Sequence, residues 1–343
     1  MCGPEVEHDS LGTIMTRETI LVTGGAGYIG SHTVLALRDA GRPVVVLDDF
    51  STGHEELVPA GVPIARGDVG HLAFVAGVIE THGVASVLHF AASIIVSESV
   101  AAPLDYYRNN TAASRNLIEA CVAGGVGTFV FSSSAAVYGA PDTIPIPEDG
   151  ATRPINPYGT SKLMTEWMLA DTAAAHGLRY AALRYFNVAG ADPDGRSGEY
   201  GHQAGHLIKI ACETALGRRS HIDIHGEDYD TPDGTCVRDY VHVSDLAAAH
   251  LTVLDHLLDG AGGIVANCGY GHGFSVREVL RAVEAEIGHS LDIRAAARRP
   301  GDPPTLIADP SRIRGLGWRP AHDDIGDIVR SALAWERRAD APP

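Results

Sequence analysis

The chain has 343 residues, of which 45% are hydrophobic and 20% charged, a globular composition with enough length for two lobes. Its net charge of −17 argues against nucleic acid or an anionic membrane as the main partner. No apolar run approaches the roughly 20 residues of a membrane span. Five dispersed cysteines favour buried thiols in a reducing cytoplasm over disulfides or a zinc site.

Short apolar runs alternate with helical stretches through the first half of the chain. The runs predict strands at Ile20–Val22, Pro43–Leu47, Val62–Ala65, Ser86–Phe90, Thr128–Phe131 and Tyr180–Tyr185. Helices are predicted at Tyr28–Ala40, Pro103–Ala123 and Tyr158–His176. Repeating strand–helix units indicate an α/β fold, with a doubly wound parallel sheet covered by helices on both faces. Ligands of such sheets bind beyond the carboxyl ends of the strands.

The texture of the sequence changes after Asn187, because residues 189–205 are rich in glycine, aspartate and polar side chains. We therefore expect a first domain over residues 19–188 and a smaller, mixed α/β lobe over residues 189–343, with some lobe segments returning to the first domain. Later helices are predicted near Leu207–Leu216, Ser244–Leu258, Ser275–Ile287 and Ile325–Arg337, and strands near Ile222–Ile224 and Ile264–Asn267. The polar residues 1–18 lack the apolar core of a signal peptide and are expected to be a disordered extension.

A glycine-rich turn follows the first predicted strand and opens the first helix. Gly24, Gly27 and Gly30 are spaced three apart. This spacing suits a tight turn, close approach of the backbone to a pyrophosphate and close packing of the helix on the strand. Tyr28 and Ile29 stand at the amino terminus of the helix, which faces the phosphates. The strand–turn–helix context predicts a Rossmann-like dinucleotide site.

Two aspartates at later strand ends complete the predicted adenosine contacts. Asp48 ends the second strand, 24 residues after Gly24, where a carboxylate accepts hydrogen bonds from the ribose. It would repel a 2′-phosphate, and neither Asp49 nor Phe50 supplies a positive charge, so NAD is predicted rather than NADP. Asp68 follows the third strand and is predicted to meet the adenine amino group, although Gly-Asp is also ordinary turn chemistry.

Tyr158 and Lys162 stand four residues apart on one face of a predicted helix. An ammonium beside a phenol favours the phenolate, so Tyr158 is predicted to be a base, with Lys162 lowering its pKa and holding the nicotinamide ribose. The fifth strand ends in three serines. Ser134 is chosen to hydrogen-bond a substrate oxygen and relay its proton, because it stands farthest from the strand. The 17 histidines show no ligand spacing, and no metal site is predicted.

Several runs in this sequence resemble the extended short-chain dehydrogenase/reductases and, within that family, the UDP-glucose 4-epimerases. They are residues 21–33, 131–139, 157–164, 183–187 and 233–243. The resemblance extends over nearly all of residues 19–335. It implies reversible interconversion of UDP-galactose and UDP-glucose, by transient oxidation at sugar C4 with tightly bound NAD, in a cytoplasmic homodimer.

The resemblance also implies roles for individual residues. The first domain would be the NAD-binding Rossmann domain, and the second lobe would bind mainly the UDP-sugar. Tyr158 would take the proton of the 4-hydroxyl as hydride leaves C4 for NAD, and the 4-keto sugar would turn over while UDP stays held. The further implied contacts are Asn110 toward the nicotinamide, Asn187 toward the sugar or phosphates, and Arg238, Arg299 and Asp302 toward UDP. A planar guanidinium suits a pyrophosphate.

Some positions depart from the pattern of this family. Leu306 stands where some relatives carry a tyrosine that narrows the sugar pocket, so we predict that UDP-N-acetyl hexosamines are also accepted. Ile94 replaces a lysine of some relatives near the cofactor, and no function is carried over to it. His206 and His225 stand where relatives have asparagine and phenylalanine, which leaves the uridine contacts open.

Three alternatives remain on the same residues. A nucleotide-sugar 4,6-dehydratase would need an Asp-Glu pair where Ala135 and Ala136 stand. An epimerase of another UDP-sugar, such as a uronic acid or pentose derivative, fits the motifs, but no further cation for a uronate carboxylate can be identified. A non-catalytic NAD-binding regulator would not require the Tyr158 and Lys162 pair.

Overall fold

The computed structural model describes residues 18–201, 205–299 and 301–338, so the expected disorder of residues 1–17 lies outside the described part of the chain. The strands are β1 (Thr19–Thr23), β2 (Val44–Asp48), β3 (Ile64–Arg66), β4 (Val84–His89), β5 (Thr128–Ser134), β6 (Arg179–Tyr185), β7 (Asn187–Ala189), β8 (Ile222–His225), β9 (Val237–Arg238), β10 (Tyr240–His242), β11 (Ile264–Cys268), β12 (Phe274–Ser275), β13 (Ile293–Ala296) and β14 (Thr305–Leu306). The helices are α1 (Tyr28–Asp39), α2 (Leu72–His82), α3 (Val96–Ala101), α4 (Pro103–Tyr106), α5 (Ala113–Ala123), α6 (Pro157–His176), α7 (Leu207–Ala215), α8 (Val243–Leu258), α9 (Val276–Ile287), α10 (Ser311–Gly315) and α11 (Ile325–Arg338).

Seven parallel strands form the central sheet in the order β11-β6-β5-β4-β1-β2-β3. The predicted α/β fold with a doubly wound parallel sheet is therefore confirmed. The chain leaves β1 toward β2 on one side, and later returns to place β4 on the other. The crevice for a ligand in such a sheet opens at this point of reversal, beyond the carboxyl ends of β1 and β4.

Helices bury both faces of the sheet. α1 and α8 pack together on one face, where Val34 and Leu246 are fully buried. α2, α5 and α6 cover the other face, with Leu117 and Leu169 fully buried. Coverage of both faces explains why the strands are almost continuously apolar rather than alternating. No helix within the described ranges is long and apolar enough to span a bilayer.

The chain after residue 189 divides between this sheet and a set of small ones. β11 extends the central sheet beside β6, and α8 packs against β5 and β6. The other late strands form three small sheets, with the pairings β10-β7, β12-β9-β14 and β13-β8. The sequence does not predict β7, β9, β10, β12, β13 and β14, because strands of two to four residues carry little periodic signal.

The helix predicted over Pro103–Ala123 is wrong in one respect. α4 passes into a π-helical turn over residues 107–112 before α5 begins. Such turns insert one extra residue into the helical ladder and often occur at functional sites. The uninterrupted apolar pattern of the sequence does not reveal this insertion.

The segment over residues 190–197 fastens α1 to the strand β7. The Tyr28 hydroxyl donates to the carbonyl oxygen of Gly190 at 2.6 Å. One turn further along α1, His32 Nε2 accepts from the backbone N–H of Asp192 at 3.1 Å. The first helix after the glycine turn is therefore held by the segment that follows β7.

A buried ion pair ties β6 to α6. The Arg184 guanidinium donates to both carboxylate oxygens of Glu166, with distances of 3.0 Å from Nε and 2.6 Å from Nη2. Ser133, near the end of β5, donates its hydroxyl to the same carboxylate. Because all three side chains are buried, the ion pair fixes the ends of two strands against the helix.

We expect Glu166→Gln to lower the free energy of unfolding by about 3–5 kcal/mol, because the buried guanidinium would lose its counter-charge. The measurement is urea-induced unfolding followed by circular dichroism. Glu119→Gln is the matched control, since Glu119 pairs with Arg115 on the exposed surface of α5 and should change stability by less than about 0.5 kcal/mol. Equal unfolding midpoints for the two variants would contradict this expectation.

Candidate active site

The glycine turn between β1 and α1 is packed too tightly for side chains. Gly24 has a φ of +70°, and a Cβ atom there would lie 2.6 Å from the backbone nitrogen of Ala91. A Cβ atom on Gly30 would lie 2.1 Å from the Gly24 carbonyl oxygen. Gly27, at the amino-terminal cap of α1, has no side chain to hold a ligand away from the backbone. The turn therefore fits the pyrophosphate of a dinucleotide.

Asp48, predicted to contact the adenosine ribose, lies beside this turn. Its carboxylate is 6% exposed and accepts from the backbone N–H groups of Ala26 and Phe50, each at 2.9 Å. Burial raises its pKa, and the two hydrogen bonds act in the opposite direction. Each carboxylate oxygen retains acceptor capacity, which fits the hydroxyl groups of a ribose.

Arg66 is a neighbour of Asp48 that sequence spacing did not reveal. It stands opposite Asp48 in the β2–β3 register, and its guanidinium lies 4.0 Å from the centre of the Phe50 ring. Glu55 forms an ion pair with it. Asp68, predicted to meet adenine, is exposed and accepts from the backbone N–H of Gly70 at 2.7 Å. This contact is the turn chemistry that the sequence left open, and the adenine contact stays a prediction.

The predicted base stands at the first turn of α6. The Asn156 side chain caps the helix by accepting from the backbone N–H of Gly159 at 2.8 Å, and Pro157 begins the helix. Tyr158 and Lys162 are 8% and 3% exposed. The Lys162 ammonium donates to the carbonyl oxygen of Ser132 at 2.9 Å and lies 5.9 Å from the centre of the Tyr158 ring.

The three serines at the end of β5 have different partners. Ser132 hydrogen-bonds the Tyr185 hydroxyl, and Ser133 is occupied by Glu166. Ser134 accepts from the backbone N–H of Ala136 at 3.2 Å, and it is the serine whose side chain lowers the pKa of the nearby Tyr158 phenol. The structure thus brings Ser134, rather than its two neighbours, to the phenol.

Burial dominates the electrostatics of the pair on α6. It raises the pKa of Tyr158, whereas the hydrogen bond from Ser134 lowers it. Burial also lowers the pKa of Lys162 to about 7. Burial of both groups therefore opposes the predicted lowering of the Tyr158 pKa by Lys162. That effect stays a prediction.

Asn110 lies in the π-helical turn and is 2% exposed. Its side-chain oxygen accepts from the backbone N–H of Ser93 at 2.8 Å. Its amide nitrogen donates to the Ser93 carbonyl at 2.9 Å and to the Ser161 hydroxyl at 3.0 Å. Asn110 therefore ties the loop after β4 to α6 at Ser161, the residue that precedes Lys162. A contact with nicotinamide stays a prediction.

Three of the predicted UDP-sugar residues come together at the β9–β14 pair and the loop before β14. Arg238 Nη2 lies 3.1 Å from Asp302 Oδ1, and Leu306 is the register partner of Arg238. Leu306 also packs against a buried apolar cluster that includes Ala135 and Phe186. Through Leu306, the three residues are therefore linked to an apolar cluster that includes the residue after Ser134 and the residue before Asn187.

The other two residues predicted to contact the UDP-sugar, Asn187 and Arg299, are exposed. The side chain of Asn187 is exposed, and its backbone N–H donates to the carbonyl oxygen of Asp239 at 2.9 Å. Arg299 is exposed in the loop before Asp302, whose backbone N–H donates to the Arg299 carbonyl at 3.3 Å. Among the described residues, no three His, Cys, Asp or Glu side chains come together as a metal site requires.

Comparison with known proteins agrees with these motifs. A family model described as the NAD dependent epimerase/dehydratase family matches residues 20–269. A UDP-glucose 4-epimerase of Azospirillum brasilense is 60% identical over 319 residues, which are 93% of this chain and 92% of that protein.

Solved structures are similar over nearly the whole chain. UDP-glucose 4-epimerase from Brucella ovis, in complex with NAD, is 45% identical with a TM-score of 0.90, covering 92% of this chain and 98% of that one. The UDP-Glc/GlcNAc 4-epimerase from the human pathogen Campylobacter jejuni is 44% identical with a TM-score of 0.82, covering 94% and 99%. The resemblance predicted from the motifs is confirmed, and the chain belongs to the NAD dependent epimerase/dehydratase family.

Proposed function

We propose that this chain interconverts UDP-galactose and UDP-glucose by oxidising and re-reducing the sugar at C4 with a tightly bound NAD. The observation that carries the proposal is the group formed by the partly buried Ser134 with the buried Tyr158 and Lys162, at the same edge of the sheet as the glycine turn. The curated relative at 60% identity is a UDP-glucose 4-epimerase, which supports the substrate.

Gly24, Gly27, Gly30 and Asp48 would hold NAD, with the backbone of Tyr28 and Ile29 at its phosphates. When bound, NAD accepts and returns a hydride, and its oxidised ring adds a positive charge. Tyr158 takes the proton of the sugar 4-hydroxyl and later returns it. Ser134 hydrogen-bonds the same oxygen and can relay the proton. Lys162 supplies positive charge beside the phenolate and would hold the nicotinamide ribose, while Asn110 positions the neighbouring turn of α6.

The second lobe would hold the nucleotide and leave the sugar loosely bound. Arg238 and Arg299 would engage the diphosphate, and Asp302 would orient Arg238 while contacting the UDP part. Asn187 would contact the sugar or the phosphates. Retention through UDP allows the oxidised sugar to turn its other face to the cofactor before hydride and proton return.

The residues around the site disfavour the alternatives. A 4,6-dehydratase needs an acid and a base beside the strand-end hydroxyl, and Ala135 and Ala136 supply neither. A regulator without catalysis would not need Ser134 beside a buried Tyr158. An epimerase of a UDP-uronic acid would need a further cation at the sugar, and none is assigned there.

Tolerance of UDP-N-acetyl hexosamines is part of this proposal. Leu306 packs against the buried apolar cluster that contains Ala135 and Phe186, which follow Ser134 and precede Asn187 in the chain. A leucine is smaller than a tyrosine and leaves volume for a 2-acetamido group. The Campylobacter jejuni relative, which is 44% identical, is a UDP-Glc/GlcNAc 4-epimerase.

A cytoplasmic homodimer is also part of the proposal. The buried cysteines of the described residues, Cys121, Cys212, Cys236 and Cys268, are free thiols, which suits a reducing compartment. Helices α3, α4 and α6 pack together and expose three large apolar side chains, those of Val100, Leu104 and Trp167. An exposed apolar patch on one helical layer suits a two-fold interface between copies of the chain.

We expect Tyr158→Phe to reduce turnover of UDP-galactose by about 10²–10⁴-fold, because the variant keeps the ring but loses the proton acceptor. The assay follows UDP-glucose formation by purified protein with no NAD added. Bound NAD, measured after denaturation, should be equal in variant and wild type. No turnover by the wild type, even after NAD is supplied, would refute the proposed substrate.

We expect the wild type to epimerise UDP-N-acetylglucosamine, and Leu306→Tyr to reduce this rate by at least about tenfold while sparing UDP-galactose. The added ring would occupy the space of the acetamido group. Leu306→Met is the control of similar volume and should keep both activities. A wild-type rate thousands of times below that on UDP-glucose would contradict this expectation.

We expect the protein to sediment as a dimer at micromolar concentration, and Leu104→Glu to produce monomers by placing a charge in the apolar patch. Leu104 is 78% exposed in the chain by itself. Leu258→Glu is the control, because Leu258 is an exposed leucine of α8 on the opposite helical layer. Dimers that survive the first substitution, or are lost equally in both, would exclude this interface.

A further inference from the structure

Lys162 carries an ammonium into the interior with little to compensate its charge. It is 3% exposed, and its ammonium donates a hydrogen bond to the Ser132 carbonyl at 2.9 Å. Among the ion pairs of the described residues, none joins Lys162 to a carboxylate. A buried cation without a counter-ion is costly, so other groups must stabilise it.

Two aromatic rings face the ammonium. Lys162 Nζ lies 5.0 Å from the centre of the Phe131 ring and 5.9 Å from that of Tyr158. Both distances lie within the roughly 6 Å over which the negative face of a ring attracts a cation, and Phe131 is the nearer. The attraction is strongest where water is excluded, and Phe131 is 2% exposed.

His89 stacks on the Phe131 ring. The two rings are stacked, with centroids 5.8 Å apart and planes inclined by 29°. His89 is also hydrogen-bonded to Thr23 and Ser114, at 2.7 and 2.8 Å, which fixes its ring. Burial, and then the charge of Lys162, lower the pKa of His89 to about 3, so the stack adds no positive charge at neutral pH.

We propose that Phe131 is a positioning residue for the reaction, whose ring face holds the Lys162 ammonium charged and in place beside Tyr158. The inference rests on the proposed function, in which Lys162 serves Tyr158. It assigns a role to a strand residue that would otherwise count as ordinary core. The reaction then depends on an aromatic surface as well as on the polar groups that touch the substrate.

Few other groups near Lys162 titrate in the neutral range. His89 on β4 is neutral there, and burial raises the pKa values of Tyr158 on α6 and Tyr185 on β6. The negative charge of Glu166, one helical turn beyond Lys162, is compensated by its bidentate ion pair with Arg184. A titration observed at Lys162 between pH 6 and 9 therefore reports its own ammonium.

The chain offers a direct way to observe that titration. Its sequence contains two lysines, Lys162 and Lys209, and Lys209 forms a buried ion pair with Glu336. Protein labelled with ¹³C at the lysine ε-carbons gives one signal from each, assigned with Lys162→Met. The Lys209 signal serves as an internal reference, and the spectra are recorded on the holoenzyme as purified.

We expect Phe131→Leu to shift the Lys162 pKa downward by about 0.4–1.5 units, because loss of the ring face removes attraction for the charged form. The alkaline limb of the kcat profile should shift in the same direction. kcat at pH 8 should fall several-fold, while KM for UDP-galactose stays close to that of the wild type. A loss of substrate binding would instead raise KM.

Phe129→Leu is the matched control. Phe129 lies on the same face of β5, is fully buried, and packs against His89 with ring centroids 5.9 Å apart. It is not one of the two rings that face Lys162. It should cost similar packing and leave the Lys162 titration unchanged. If both variants shift the titration equally, or neither does, the inference is overturned.

A second substitution covers the case in which the leucine variant folds poorly. Trifluorophenylalanine, introduced at position 131 alone, keeps the shape of the ring and weakens its negative face. A smaller downward shift of the same sign would support the inference, and an unchanged Lys162 pKa would overturn it. A shifted pKa in a protein that does not turn over UDP-galactose would refute the proposed substrate and leave the ring contact standing.

Discussion

Parallel pairing of β4, β5 and β6 is the constraint on which the rest of the site depends. In register, Ser134 stands opposite Tyr185, and the strand ends reach the same edge as the glycine turn after β1. The start of α6 lies over that edge, so Tyr158 meets a hydroxyl supplied by a strand rather than by a flexible loop. Glu166 and Arg184 then fix helix and strand to one another. A shift of one residue along β5 would exchange Ser134 for Ser133 and reverse the face presented to the phenol.

The site functions in an interior that resists charge. Asp48, Tyr158 and Lys162 are all buried. Burial raises the pKa of Asp48 and of Tyr158 and lowers that of Lys162, so it favours the neutral form of each. Each is partly compensated by a different device, namely backbone N–H groups, a serine hydroxyl, and a carbonyl with aromatic faces. Such compensation keeps the charged forms accessible without ion pairs that would compete with a ligand.

Much of this arrangement could be predicted from the sequence because it follows from periodicity and glycine spacing. The strand–helix alternation predicted the parallel sheet, and the context of Gly24, Gly27 and Gly30 predicted the tight turn. Position along the strand favours Ser134 among the three serines, and its side chain is the one that lowers the pKa of Tyr158. The sequence does not predict the roles of Arg66, Ser93 and Phe131, because these residues reach the site across strands or between loops. Long-range pairings of this kind leave no local signal, and neither does the π-helical turn that positions Asn110.

The two lysines of the chain have a further consequence at its surface. Since Lys162 and Lys209 are both buried, the surface cations other than histidines and the amino terminus are arginines, whose guanidinium groups do not lose their protons below about pH 12. Reagents that acylate surface lysines would find none on the folded protein. In an ordinary protein the alkaline titration of ammonium groups takes place in solvent. Here the lysine ammonium groups lie inside, one beside the candidate base and the other under the carboxy-terminal helix.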